Sequence, residues 1–302
     1  MTINHDNKRK WTVGFKRVEV AEVKDAPAQR SFPMLVMYPS NTLEKVEQMG
    51  PFRLEVGLGA EAASGKFPLV VISHGSGGSQ WVYRTLAKHL ASHGYIVGIP
   101  EHPGNNRNDN SQDGTVVNLK NRPRHLVQAI DYFVESEWCA DRINPHAVAV
   151  IGHSMGGYTA LAAAGGKPSS FPHESPHGDS EPISVTADPR IRALVLLAPA
   201  SVWFRKYDAL DEVDLPILLL AAEKDDYTPH FHSQIILDGV KDRSKVEYAV
   251  IQGAGHFSFL SPFPEAMQQP SFLPATDPPG FDRQAFHEVL NAKVLDFLNL
   301  HL

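Results

Sequence analysis

The pentapeptide Gly152-His153-Ser154-Met155-Gly156 sets a serine between glycines, directly after an apolar run, Ala147-Val-Ala-Val-Ile151, and directly before a helix-prone stretch beginning at Tyr158. G-x-S-x-G at a strand-to-helix junction is the signature of a nucleophile held on a tight turn, with glycines making room for a strained backbone. The helix that follows points its N-terminus at the site and favours developing negative charge there. The chemistry such a serine performs is attack on a carbonyl carbon. Because a serine hydroxyl is a poor nucleophile until a base takes its proton, a histidine and an orienting carboxylate must come from elsewhere in the chain.

Chains built on this elbow carry those partners in the order serine, acid, histidine, each after a later strand. An apolar run at 215–221 leads into Glu223-Lys-Asp225-Asp226-Tyr-Thr-Pro229, and another at 246–251 leads into Gly253-Ala-Gly255-His256-Phe257. Asp225 stands four residues before Pro229 and is the preferred acid, with Asp226 and Glu223 as alternates. Glycines before His256 suit a loop that bends an imidazole back over Ser154. The expected oxyanion hole consists of backbone N–H groups, one from Met155 and one from the glycine-rich loop Ser73-His74-Gly75-Ser76-Gly77-Gly78-Ser79. Ser76 is the preferred second donor and Gly77 the alternate, while His74 is expected to be structural. Trp81, Trp203, Phe204, Phe257 and Phe259 each follow a strand end or adjoin a motif residue, and are the expected lining of an apolar substrate pocket.

Elements able to gather these residues are legible as short Val-, Ile- and Leu-rich runs at 69–73, 95–100, 147–152, 191–197, 215–221 and 246–251. Such runs suit strands buried on both faces of a parallel sheet. Amphipathic stretches at 81–92, 123–137, 154–165 and 283–300 alternate with them, which implies an α/β architecture with helices on both faces. Two earlier runs, 12–20 and 32–38, alternate apolar with polar residues as an antiparallel edge hairpin does. The expectation is a mostly parallel sheet of about eight strands in a single domain over 1–302. Segments 41–66, 166–190 and 261–281 break the rhythm and are expected as loop or cap insertions.

A net charge of −6 with both signs interspersed offers no cationic stripe, so nucleic acid is an unexpected partner. Cys139 is the only cysteine, which rules out an intrachain disulfide and suggests a small buried apolar side chain. The polar N-terminus lacks an apolar leader core and the longest apolar runs are too short to span a bilayer, so a cytoplasmic protein without a membrane span is expected. Gly75-Ser-Gly77-Gly78 does not complete a dinucleotide fingerprint, because residue 80 is Gln. The stretch 109–120 imitates a calcium loop but ends on Lys120 where a bidentate Glu is needed. His173-Glu174-Ser-Pro-His177 has metal-capable side chains, but Pro176 denies it the helical face of a zinc site. Triad chemistry needs neither metal nor cofactor.

Four stretches together carry a family resemblance: Val70-Val-Ile-Ser-His-Gly-Ser-Gly-Gly-Ser79, Leu90-Ala-Ser-His-Gly-Tyr-Ile-Val97 with Glu101-His-Pro-Gly104, Gly152-His-Ser-Met-Gly-Gly-Tyr158, and Gly253-Ala-Gly-His256. With them the chain resembles the dienelactone-hydrolase-like and platelet-activating-factor-acetylhydrolase-like branch of the α/β-hydrolases. The resemblance implies the α/β-hydrolase fold, the triad Ser154, Asp225, His256 and the same oxyanion hole. True dienelactone hydrolases carry a cysteine where this elbow has Ser154, which argues against that lactone as substrate. The expected activity is cleavage of a small-molecule carboxylic ester through an acyl-enzyme. Amidase, lactonase or acyltransferase chemistry on the same triad are the alternatives, with a ligand receptor on a hydrolase scaffold as the non-enzymatic one. No basic cluster accompanies the motifs, so a neutral or hydrophobic acyl group is expected rather than a polyanion.

Overall fold

The computed structural model describes residues 11–21 and 31–302. The first ten residues, on which the reading of a missing leader rests, lie outside the described residues. Among the described residues ten strands form one sheet: β1 (Thr12–Val20), β2 (Phe32–Ser40), β3 (Lys45–Met49), β4 (Phe52–Leu58), β5 (Phe67–Ser73), β6 (Ile96–Pro100), β7 (Ile143–His153), β8 (Ile191–Leu197), β9 (Ile217–Lys224) and β10 (Val246–Gly255). Their spatial order is β10-β9-β8-β7-β5-β6-β2-β1-β4-β3. From β10 to β6 every neighbouring pair is parallel, whereas β2 pairs antiparallel with both β6 and β1.

Five helices cover the sheet: α1 (Arg84–Ser92), α2 (Val116–Glu135), α3 (Met155–Ala163), α4 (Phe231–Gly239) and α5 (Arg283–His301). Side chains alternate along each central strand and so feed two separate cores. Leu69, Val71, Val148, Val150, Leu194 and Leu219 pack with α2, α3 and α4. Val70, Ile72, Ala149, Ile151, Val195 and Leu220 pack with α1 and α5 on the opposite face. Burial on both faces is why these strands read as unbroken apolar runs.

The sheet departs from expectation in three places. Segment 41–66 is not a loop, because β3 and β4 pair antiparallel within it and β4 then runs parallel to β1. Phe52, Leu54 and Val56 point inward while Arg53 and Glu55 point out, a half-buried alternation that the charged residues obscure in sequence. The sheet therefore has ten strands rather than eight, and the β1–β2 hairpin lies inside the sheet rather than at its edge.

Helix α2 starts at Val116, capped by the Thr115 hydroxyl accepting from the Asn118 N–H at 3.2 Å, and not at Pro123. Pro123 sits inside the helix and has no N–H for the carbonyl of Leu119. The Tyr158 hydroxyl from α3 donates to that carbonyl at 2.9 Å, which replaces the missing bond. Helix α4 was also not anticipated. Segments 166–190 and 261–281 hold only short 3-10 turns, in keeping with loops.

Candidate active site

Strand β7 delivers Ser154 to the helix α3 junction with φ 54° and ψ −121°, a left-handed backbone rare for a residue with a side chain. The surroundings over-determine this strain. The Ser154 N–H donates to Leu197 O at 3.1 Å, and its carbonyl accepts from Gly157 N at 2.8 Å and Ala200 N at 2.8 Å. Helix α3 lies so close to the glycine-rich loop that a Cβ on Gly156 would fall 1.9 Å from Ser73 O, which explains the glycine at that position. Gly75 faces Ser154 directly, since a Cβ there would stand 3.2 Å from that of Ser154.

His256 opens a short 3-10 turn at the end of β10, and Asp225 follows β9. Their rings and carboxylates meet in a buried contact, His256 Nδ1 to Asp225 Oδ2 at 2.9 Å. Asp225 Oδ1 accepts from the Tyr227 N–H at 2.9 Å and the Thr228 N–H at 2.8 Å, while the Thr228 hydroxyl lies 2.8 Å from Oδ2. Burial opposes ionisation of this carboxyl, but hydrogen bonds from His256 and Thr228 outweigh it and hold the pKa at about 2. The alternates do not reach the ring: Asp226 is exposed, and Glu223 accepts from the Gly253 N–H at 2.7 Å. With Nδ1 committed to Asp225, Nε2 is the ring nitrogen left without that partner. No hydrogen bond joins Ser154 to His256 among the described residues, although both line one cleft. Such contacts commonly tighten only when substrate binds.

The Pro-rich segment 261–281 supports the histidine. Gly255 N donates to Ser258 Oγ at 3.0 Å, Ser258 Oγ donates to Asp277 Oδ1 at 2.7 Å, and Arg283 Nε reaches Asp277 Oδ2 at 2.8 Å. The loop after the nucleophile helix, by contrast, lines none of this cleft.

Beneath the glycine-rich loop lies Arg122 of α2, fully buried. It donates to Thr159 Oγ1 at 2.9 Å, Asn105 Oδ1 at 2.6 Å, Ser73 Oγ at 3.3 Å and the His74 carbonyl, and pairs with no carboxylate among the described residues. Burial lowers its pKa to about 9, which still leaves it cationic at neutral pH. A buried positive charge with only neutral acceptors is costly unless it is used. Here it fixes the carbonyl side of the glycine-rich loop. His74 is structural: its Nε2 accepts from His102 N at 3.1 Å, its Nδ1 donates to Gly75 O at 2.7 Å, and burial lowers its pKa to about 3. The Ser76 hydroxyl donates to Asp113 Oδ1 at 2.5 Å, tying the loop to the segment after β6.

The cleft has a volume of about 450 Å³ and holds Ser154, His256, Gly75, Ser76 and Gly77 together. Of the five aromatic residues expected to line it, only Phe257 does. Trp81 is packed between Phe15 and Phe52, at ring separations of 6.0 and 6.2 Å. Trp203 packs on Tyr158 and donates its indole N–H to Glu174 at 2.9 Å. Phe204 and Phe259 are buried in the two cores. Adjacency in sequence misled here, because these residues sit on short 3-10 turns whose successive side chains point in different directions.

Val82, Tyr83, Arg107, Asn110, Asp113, Tyr227 and Leu260 also line the cleft, none of them expected there from sequence, as do Phe272 and Pro274 of segment 261–281. The signal that finds the segment 101–114 is positional, since ligands in open α/β sheets bind beyond the carboxyl ends of the strands, and this segment follows β6. The stretch that imitates a calcium loop is thus a cleft wall. Glu174 of the His173–His177 stretch is occupied by the Trp203 indole and the Phe171 N–H, and no cluster of three metal-capable side chains occurs among the described residues.

The chain is similar to several known proteins. The family model described as alpha/beta hydrolase fold matches residues 68–173, which carry the glycine-rich loop and the elbow. The chain is 26% identical over 197 residues to a bis(hydroxyethyl) terephthalate hydrolase of Streptomyces coelicolor, covering 65% of this chain and 52% of that protein. It is 29% identical over 141 residues to the platelet-activating factor acetylhydrolase of Canis lupus familiaris, covering 32% of each. The chain thus spans about half the length of the first of these relatives and less of the second. The solved structure of a ferulic acid esterase from Streptomyces cinnamoneus superposes with a TM-score of 0.69 at 20% identity, covering 98% of this chain and 91% of the other. Strand order, elbow and likeness to solved structure agree, and the chain has the α/β-hydrolase fold.

Proposed function

We propose that this protein is a serine hydrolase of carboxylic esters, with Ser154 as nucleophile, His256 as general base and acid, and Asp225 as its orienting carboxylate. The observation that carries the reading is the buried 2.9 Å contact between Asp225 Oδ2 and His256 Nδ1 at the wall of the cleft that also holds Ser154 on its strained turn. Asp225 accepts a hydrogen bond from Nδ1–H and so fixes the tautomer that leaves Nε2 free to take a proton from Ser154. Ser154 Oγ adds to the ester carbonyl, and the N–H groups of Ser76 and Met155 receive the oxyanion. Collapse of the tetrahedral species expels the alcohol, protonated by His256. Water activated by the same ring then releases the acid. Similarity to a terephthalate ester hydrolase and to an acetylhydrolase supports an ester over an amide.

Labelling of the purified protein with a fluorophosphonate probe, and assay against p-nitrophenyl esters of graded chain length, test the reading. Wild type is expected to label and turn over, and Ser154→Ala to do neither, with a loss of about 10⁴-fold or more in kcat. Turnover that survives Ser154→Ala rejects the assignment.

A further inference from the structure

Arg107 is the one cation among the cleft-lining residues described. Its backbone is fixed beside the glycine-rich loop: Arg107 N donates to Gly78 O at 2.8 Å, and the preceding Asn106 forms a bridge with Gly78. The Asn106 side chain stiffens the same turn, donating to His102 O at 2.8 Å and accepting from the N–H groups of Asn108 and Asp109 at 2.9 and 3.0 Å. The guanidinium stands over the ring of Phe272, 5.4 Å from its centroid, so the opposite wall orients it. It makes no ion pair and no side-chain hydrogen bond among the described residues, which leaves its planar set of donors open to the cleft.

The other charged group in the cleft, Asp113, does not neutralise it. Oδ1 of Asp113 accepts from the Ser76 hydroxyl at 2.5 Å and from Asn105 Nδ2 at 3.3 Å, so this carboxylate is drawn into the loop network beneath. The opposite wall is apolar, with Phe272, Pro274, Leu260 and Phe257, while Ser79 and Asn110 are polar neutral residues of the same lining. The cleft volume of about 450 Å³ suits a single small ester, so a ligand whose carbonyl meets Ser154 also comes within reach of the walls.

We infer that Arg107 forms an anion subsite of the cleft, and that the preferred substrate is an ester with an apolar body carrying a free carboxylate. The inference rests on the ester-hydrolase reading above and adds the substrate class to it. A guanidinium binds a carboxylate through two parallel N–H···O contacts, which a hydroxyl or ether oxygen cannot match. A single open arginine differs from the basic cluster whose absence argued against polyanions, and it selects for one charge.

Matched substrates test the inference. The mono-p-nitrophenyl ester of suberic acid against p-nitrophenyl octanoate places the charge on the acyl side, and 4-carboxyphenyl octanoate against phenyl octanoate places it on the alcohol side. Wild type is expected to prefer the charged member of at least one pair in kcat/KM by about tenfold, the scale of a charge-assisted contact. That ratio should fall with added salt, should drop close to one in Arg107→Gln and should be partly kept in Arg107→Lys. A ratio near or below one in wild type for both pairs, or a ratio unchanged in Arg107→Gln, overturns the inference. Turnover of the neutral esters that depends on Ser154 leaves the parent reading standing in that event, whereas absent fluorophosphonate labelling removes the parent reading itself.

Discussion

The ring of His153, immediately before the nucleophile, donates from Nε2 to the backbone carbonyl of His256 at 3.0 Å. Because a carbonyl only accepts, Nε2 carries the hydrogen and Nδ1 must accept, from the Tyr83 hydroxyl at 3.0 Å. That hydroxyl in turn accepts from the Gly75 N–H at 3.4 Å. Burial, followed by the neighbouring His256 ring, lowers the His153 pKa to about 3, so the ring is neutral and its tautomer fixed. A directed chain of buried hydrogen bonds therefore joins the glycine-rich loop to the histidine turn through a residue adjoining Ser154. His153→Phe, which keeps the volume and removes both bonds, is expected to lower ester kcat by about tenfold or more, since small misplacements of reacting groups are costly. His153→Gln, whose amide both donates and accepts, should recover most of the loss. Steady-state kinetics beside thermal midpoints make the comparison, and equal losses in the two variants at equal stability would refute a positioning role.

Asp225 and Asp226 are neighbours with opposite environments. Asp225→Asn keeps the shape but removes the charge that accepts the hydrogen bond from His256 Nδ1, and kcat should fall by about 10³- to 10⁴-fold. Asp226 is exposed, and Asp226→Asn should stay within about twofold of wild type. A loss on Asp226→Asn comparable with that on Asp225→Asn would reassign the acid.

Stability should drain on mild acidification. Burial lowers the pKa values of His74, His125 and His153 to about 3, against an ordinary value of 6.5 in the unfolded chain. Between these values the unfolded chain binds protons that the folded one does not, so stability is complete above about pH 6.5 and falls with pH toward 3. Each such histidine contributes a slope of up to about 1.4 kcal/mol per pH unit, and typical domains hold only about 5–15 kcal/mol. Unfolding is therefore expected by about pH 4 to 5. The depressed carboxyl of Asp225 acts lower still: its contribution is present above about 3.8 and is lost as pH falls through about 2. Urea midpoints measured from pH 8 to 4 check this, and a flat profile between pH 7 and 5 would contradict it.

Cleft residues and core aromatics separate by assay. Phe257→Ala and Phe272→Ala remove apolar wall and should change the chain-length preference for p-nitrophenyl esters. Trp81→Ala and Trp203→Ala should leave that preference alone while costing about 2–5 kcal/mol of stability, because both rings are packed away from the cleft. A shift in chain-length preference on Trp81→Ala would return that residue to the pocket.

What the sequence determined by itself is the set of groups whose identity follows from local constraint. Ser154 needs glycine neighbours and a strand before it, His256 and Asp225 each follow an apolar run, and strands buried on both faces announce themselves as unbroken Val, Ile and Leu. Where the pattern mixes charge with apolar residues, as in β3 and β4, or puts a proline inside a helix, as at Pro123, local reading failed. There the deciding contacts come from distant chain: β1 beside β4, and the Tyr158 hydroxyl on Leu119. Only tertiary structure decided which aromatic rings meet the cleft, which acid meets the imidazole, and that Arg107, Asp113 and Phe272 share a wall with Ser154. Those relations depend on how separate loops converge beyond the strand ends, and neither spacing nor composition encodes the direction in which a loop side chain points.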